Sequence, residues 1–195
     1  MATQEERKQE TKLKIIDNAK ELFDTKGYDN TSVDDIFKLA NVSKGTFYKH
    51  FKTKIDIVIS IAREENSLKS KEVLTSISNG LDTLDTLKMY LNSVGDWFEA
   101  RQSIAQALVV ASLTQDVDNI VTDPKYSSRG FINATLTSAQ KQKTIKSDID
   151  TWELTAMIGG FIVICVVVWL QNPIKGELGK SLNKKLDILL DGIKL

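Results

Sequence analysis

TSVDDIFKLANVSKGTFYKHFKTK, residues 31–54, is the stretch whose reading decides the fold. Thr31 opens a helix: its hydroxyl is placed to cap the backbone N–H near Asp34, and Asp34 to reach back in the reciprocal arrangement. Val33, Ile36, Phe37 and Ala40 make the apolar face of a helix about two and a half turns long. Asn41 ends it, since asparagine is one of the few non-glycine residues that accept left-handed backbone, and Ala-Asn-Val can make a sharp turn. Ser43 then caps a further helix with two faces. At about 100° per residue, Phe47 and Phe51 lie four apart on one side, while Gly45, Thr46, Lys49 and His50 project away from them. The phenylalanines dock the helix. The other face carries a small residue, a hydroxyl, a lysine and an imidazole, which suit the wall and floor of a DNA major groove. Gly45 allows close backbone approach, and Tyr48 sits at the edge of this face within reach of a phosphate oxygen.

Upstream, Leu13, Ile16, Ala19, Leu22 and Phe23, with Ile15 beside them, fall on one helical stripe. Gly27 follows as a left-handed terminator. Three helices in this order, the second and third joined by a tight turn, make a helix-turn-helix. Charge agrees. Lys+Arg and Asp+Glu both number 26, so the chain is formally neutral. Yet Ile36 to Ile55 contains Lys38, Lys44, Lys49, Lys52, Lys54 and His50 with no acid, the footprint of a discrete phosphate-binding face.

The run Thr31-Ser-Val-Asp-Asp-Ile36, then Ala40-Asn-Val-Ser-Lys-Gly-Thr-Phe-Tyr-Lys-His-Phe51 and Lys54, resembles the DNA-binding signature of TetR-family regulators over about residues 10–56. Asn41 stands where that family usually has glycine, and Phe37 where a small residue is common. The resemblance implies that Lys44, Gly45, Thr46 and Lys49 face bases or their flanking phosphates. It implies that Thr31, Ser32, Tyr48, His50 and Lys54 hold the DNA backbone, phosphate contacts setting register and base contacts setting sequence.

After Lys54, Ile55, Val58, Ile59 and Ala62 continue an apolar pattern toward Leu68, so a fourth helix links the reader to the remainder. Asn79 and Gly80 break it. Helices are expected at about 82–98, 101–121, 125–145, 150–171 and 177–193. Asp150 with Glu153 reads as a capping box opening the most apolar of them, and Asn172-Pro173 closes it. A helix apolar nearly all round must be buried on every side. In a chain this small, one side faces its own core and the other a partner chain, with Gly159 and Gly160 permitting close approach. Leu178, Leu182, Leu186, Leu189, Leu190 and Ile193 form a stripe on the last helix that can complete the same contact. TetR-like proteins commonly dimerise through a four-helix bundle of their last two long helices. The resemblance therefore implies a homodimer through about 150–171 and 177–193 that reads two related half-sites.

Met89, Tyr90, Trp97, Phe98, Tyr126, Phe131, Trp152 and Met157 are candidates to line the pocket of a small-molecule effector that the resemblance implies, or else plain core. Asp96 and Glu99 flank Trp97, placed either to meet a cationic effector or to face solvent. Cys165, the only cysteine, excludes an intrachain disulfide and reads as a small buried residue of a reducing cytoplasm. Ala156 to Leu170 is free of charge but is 15 residues long, where about 20 are needed to span hydrocarbon. Stable membrane insertion is therefore not expected. The opening MATQEERKQETK lacks an apolar core, so export is not expected either.

The expectation is an all-α chain of about nine helices, with a helix-turn-helix domain at 1–54 and an effector-binding and dimerisation domain at 55–195. It acts in the cytoplasm as a ligand-responsive regulator of double-stranded operator DNA, repression being the usual outcome in the family it resembles. No metal-ligand cluster, phosphate loop, nucleophile elbow or CxxC pair supports an enzyme, and no cofactor or metal is expected. The alternatives are a membrane-associated regulator and, with less support, a helical enzyme.

Overall fold

The computed structural model describes residues 3–78, 82–114 and 127–194. Among them run nine α-helices: α1 (Gln4–Lys26), α2 (Val33–Leu39), α3 (Lys44–His50), α4 (Lys54–Ser78), α5 (Thr83–Ala100), α6 (Gln102–Thr114), α7 (Ser128–Lys141), α8 (Thr151–Gln171) and α9 (Leu178–Ile193). Extended pairing among the described residues is confined to an isolated antiparallel bridge between Ile145 and Lys194. The fold is all-α, an N-terminal helix-turn-helix followed by a larger helical domain. Two compact units divide the chain: residues up to Ala62 together with Ser103–Thr114, and Arg63–Gln102 together with Gln115–Leu195. The start of α4 and most of α6 thus belong with α1, α2 and α3.

In the first unit, Ile15, Ile16, Ala19, Leu22 and Phe23 bury the stripe of α1. Gly27 ends α1 with φ 81° but ψ 156°, a positive φ without the left-handed ψ expected, because the chain leaves the helix extended. The cap of α2 falls one residue later than the sequence pattern suggested. Ser32, not Thr31, accepts from the N3 backbone, and Asp35, not Asp34, returns the bond to the Ser32 N–H. Thr31 is drawn inward instead, its hydroxyl donating to the Gly27 carbonyl at 2.8 Å. That bond satisfies an acceptor at the end of α1 which would otherwise be partly buried without a partner. Asn41 makes the turn as expected, with φ 49°. The Asn41 N–H donates to Lys38 and the Val42 N–H to Phe37, the paired bonds of a Schellman ending, so asparagine serves where glycine is usual.

In the second unit, α5 packs on α7 and α9, and α8 on the same two helices. The tightest approach is between α5 and α9: a Cβ added at Gly95 would lie 2.5 Å from the Gly179 nitrogen and 2.6 Å from its Cα. Only glycine fits there. Glu99 ties the same seam, accepting from the backbone N–H of Gly176 and, at 2.9 Å, of Leu178. It thereby caps α9, whose own N-cap residue Glu177 makes no side-chain capping bond. Glu99 is thus a structural brace, while Asp96 is exposed. α7 stops at Lys141 rather than 145, since Lys143 adopts φ 58° and the next N–H returns to Ala139 in a second Schellman ending.

Asp150 caps α8 by accepting from the N–H groups of Trp152 and Glu153, and Asn172 closes the helix. At 21 residues α8 is long enough to cross a bilayer, so the length argument drawn from Ala156–Leu170 does not hold: the capped first turn and Gln171 add to the uncharged run. Only 33% of its most apolar window is buried within the chain. The leucines of α9 also depart from expectation. Leu178, Leu182, Leu186, Leu190 and Ile193 are buried in their own unit, Leu189 is half-buried, and the large apolar residue that α9 leaves outward is Ile188. Cys165 is buried, its Sγ 3.7 Å from the Ser181 hydroxyl. The stretches 115–121 and 125–126 of two expected helices, and the break at Asn79 and Gly80, lie outside the described residues.

Candidate nucleic-acid interface

α3 is held from one side. Phe47 is fully buried and Phe51 nearly so, their ring centroids 6.1 Å apart, and Tyr48 meets the edge of Phe47 at 5.4 Å while its own side chain stays 46% exposed. Burying each phenylalanine stabilises the docked helix by roughly 1.5–3 kcal/mol, which suffices for a helix of two turns that would not persist alone. Its N-terminus is fixed by Ser43, whose Oγ accepts from the Thr46 N–H at 3.0 Å and shares a 2.8 Å hydrogen bond with the Thr46 hydroxyl. Opposite the phenylalanines, Lys44, Gly45, Tyr48 and Lys49 are exposed, and Thr46 and His50 half-exposed. The two-faced reading of α3 therefore holds residue by residue. Burial and then the charges of Lys12, Lys8 and Lys49 hold the His50 imidazole below its ordinary pKa.

Three residues assigned to the DNA backbone by resemblance are placed differently. Thr31 is 2% exposed, with its N–H donated to Tyr28 and its hydroxyl to Gly27, so it shapes the α1–α2 turn rather than meeting solvent. Ser32 is exposed, but its hydroxyl donates to the Asp35 carboxylate at 2.8 Å. Lys54 reaches back: its ammonium donates to the carbonyls of Tyr28, at 2.5 Å, and Thr31, at 2.9 Å, and lies 4.0 Å over the Tyr28 ring. Desolvation lowers its pKa, Asp29 partly opposing. Asp56 was not singled out by the sequence; it accepts from the N–H groups of Lys52 and Thr53 and fixes the turn into α4.

Residues 15–61 match the family described as bacterial regulatory proteins, tetR family. Over nearly its whole length the chain is also similar to the fatty acid metabolism regulator protein of Bacillus subtilis (strain 168), 27% identical across 93% of this chain and 94% of the relative. The chain carries a TetR-family DNA-binding domain at residues 15–61. Among solved structures, FadR of Thermus thermophilus, a TetR-family repressor in complex with lauroyl-CoA, shares the fold at TM-score 0.81 with 19% identity, covering 94% of this chain and 95% of that one. The Bacillus subtilis FadR structure in complex with stearoyl-CoA superposes at TM-score 0.71 with 26% identity, covering 93% and 98%. These relatives are regulators, not enzymes.

Placed in the TetR fold, the effector candidates separate into two groups. Tyr90, Trp97, Phe98 and Phe131 are buried, with the tilted rings of Tyr90 and Phe131 4.4 Å apart and Trp97 edge-on to Phe98 at 5.0 Å. The Tyr90 hydroxyl donates to the Asn66 side-chain oxygen at 2.6 Å, and burial raises its pKa to about 12, so the phenol stays neutral. The Trp97 indole donates to Glu65, which also takes Arg101 in an ion pair of 2.5 Å. Met89, Trp152 and Met157 are exposed and so do not share that interior; composition had no means of separating them. Tyr126 lies outside the described residues.

The position of Lys54 changes what its removal does in this TetR-family reader. Lys54→Met leaves the part-buried Thr31 carbonyl without its donor and the Tyr28 carbonyl with only the Thr31 N–H at 3.3 Å, at about 1–3 kcal/mol. The expected result is a lowered melting temperature, with operator binding by the folded fraction keeping its salt slope. A slope shallower by about one unit with unchanged melting would return Lys54 to the phosphate-contacting set.

Proposed function

We propose that this regulator is a dimeric repressor that reads a palindromic operator with α3 and is released by a fatty acyl-CoA thioester. The observation that carries the DNA reading is the two-faced α3, anchored by Phe47 and Phe51 and presenting Lys44, Gly45, Thr46, Tyr48, Lys49 and His50 outward. Residues 1–54 act as the reader and 55–195 as the effector and dimerisation domain, working in the cytoplasm where operator DNA is met. One such short helix spans too few base pairs for useful specificity, and two-fold pairing of readers supplies a second half-site.

The outer side of α8 supports the pairing. Met157, Gly160, Ile164 and Val168 recur at three- and four-residue spacing, all exposed, and a Cβ at Gly159 or Gly160 would meet nothing within 4 Å. Such a stripe suits another helix at close range better than lipid, since the opposite side of α8, with Leu154, Ile158, Cys165, Val166 and Trp169, is packed against protein. On α9, Ile188 rather than the buried leucines is the apolar residue available to the partner.

The acyl-CoA effector rests on the Bacillus subtilis and Thermus thermophilus relatives, and on the buried aromatics of α5 and α7 as the interior an acyl chain would meet. An effector acts only through differential affinity for the two dimer geometries, typically worth 5- to 150-fold (about 1–3 kcal/mol). The test is binding to duplexes from the DNA flanking its coding region, at several salt concentrations, with and without stearoyl-CoA. We expect a preferred sequence, a steep salt slope and a drop in affinity within that range, not reproduced by free CoA. No sequence preference overturns the regulator reading; preference indifferent to acyl-CoA overturns the effector alone.

A further inference from the structure

The first helix extends well upstream of the family match, which begins at Ile15. A reciprocal capping box between Thr3 and Glu6 starts α1 at Gln4. Its buried stripe is Ile15, Ile16, Ala19, Leu22 and Phe23. Stepping back from Ile16 four residues at a time reaches Lys12 and then Lys8. At about 100° per residue both fall within the angular range of that stripe, past its last buried residue, while Glu6 and Glu10 fall on the far side of the helix. The docking face of α1 thus changes from apolar to cationic as it runs off the core. Lys12 is half-buried and Lys8 exposed. Both charges are felt at His50, on the outward side of α3, together with Lys49 of α3 itself.

Like charges gathered on one side of a surface repel, and the acid-free run from Ile36 to Ile55 offers no compensation. The acid nearest this row in angle is Glu5, which pairs with Lys8 at 3.8 Å; both are largely exposed, so the pair contributes little. A partner of dense negative charge lying along α3 would relieve the repulsion. We propose that Lys8 and Lys12 extend the DNA-binding face beyond the helix-turn-helix, gripping backbone phosphates that flank the bases read by α3. This rests on α3 being the DNA reader. It adds affinity that is blind to sequence, which base contacts then convert into selectivity.

The test uses the full chain carrying K8Q and K12Q together. Each phosphate contact contributes about 0.9 to the slope of log affinity against log salt. The double variant should therefore bind operator with a slope shallower by about 1.8, and lose affinity for operator and unrelated duplex by the same factor, with unchanged melting. Without DNA, the His50 ring followed by NMR should titrate at a higher pH in the variant, because two repelling charges have gone. Wild-type slope in the variant, or an unmoved His50, overturns the extension while leaving α3 as reader. Failure of the wild-type chain to bind DNA overturns both.

Discussion

Gly45→Ala should weaken operator binding by tenfold to hundredfold while leaving the free protein as stable as before, or slightly more so. Nothing in the chain requires glycine there. Gly45 lies inside α3 without a positive φ, and the nearest atom an added Cβ would meet is the Ser43 Oγ at 3.9 Å. Alanine in a helix is better than glycine by roughly 0.5–1 kcal/mol, so melting should hold or rise. At the DNA, a methyl group pushed between α3 and a close-packed groove costs about 1–3 kcal/mol, and each 1.4 kcal/mol is about a factor of ten in affinity. The divergence of the two readouts is what makes the experiment decisive. A substitution that harmed the fold would lower both; one that touched nothing would lower neither. Unchanged affinity would mean that the first turn of α3 does not approach DNA and that the helix is presented differently.

The contrast between Gly45 and Gly95 indicates which parts of this protein can be read from sequence. Gly95 is demanded by the backbone of Leu178 and Gly179 in α9, eighty-three and eighty-four residues further on, and no local pattern around it announces that contact. The reader was legible because its determinants are local: Ser43 caps, Asn41 turns, and Phe47 and Phe51 recur at helical spacing. Where two adjacent residues offered the same chemistry, locality failed. Thr31 with Asp34 and Ser32 with Asp35 have the same capping spacing, and the choice fell to the Gly27 carbonyl, which needed the Thr31 hydroxyl. The internal bonds of Lys54 were hidden for a related reason. A lysine in a basic stretch reads as a phosphate ligand, and only the folded α1–α2 turn brings two carbonyls and the Tyr28 ring within its reach. In the second unit, periodicity located α8 and α9 but not the side of each that faces inward. A stripe of leucines on α9 serves a core and an interface equally well, and packing on α5 and α8 decided for the core.

That leaves α8 with an exposed apolar stripe, and Ile164→Glu should expose its purpose. Ile164 is 57% and Val168 59% exposed in the single chain, on the same line as Gly160. In a two-fold interface the same stripe meets itself, so one substitution places two carboxylates in the seam. An uncompensated buried charge costs about 3–5 kcal/mol, comparable to what such a seam contributes. Sedimentation should then show single chains at micromolar concentration where the wild type is paired. Operator affinity should fall by about 10²–10⁴, the gain that joining two readers supplies, whereas affinity for an isolated half-site stays as it was because α3 is untouched. Melting provides the control: more than half of Ile164 is exposed within its own chain, so helicity should persist in the monomer. Should Ile164→Glu remain a dimer with full operator affinity, the readers must be paired through another surface, and the glycine-containing stripe of α8 would need a different occupant.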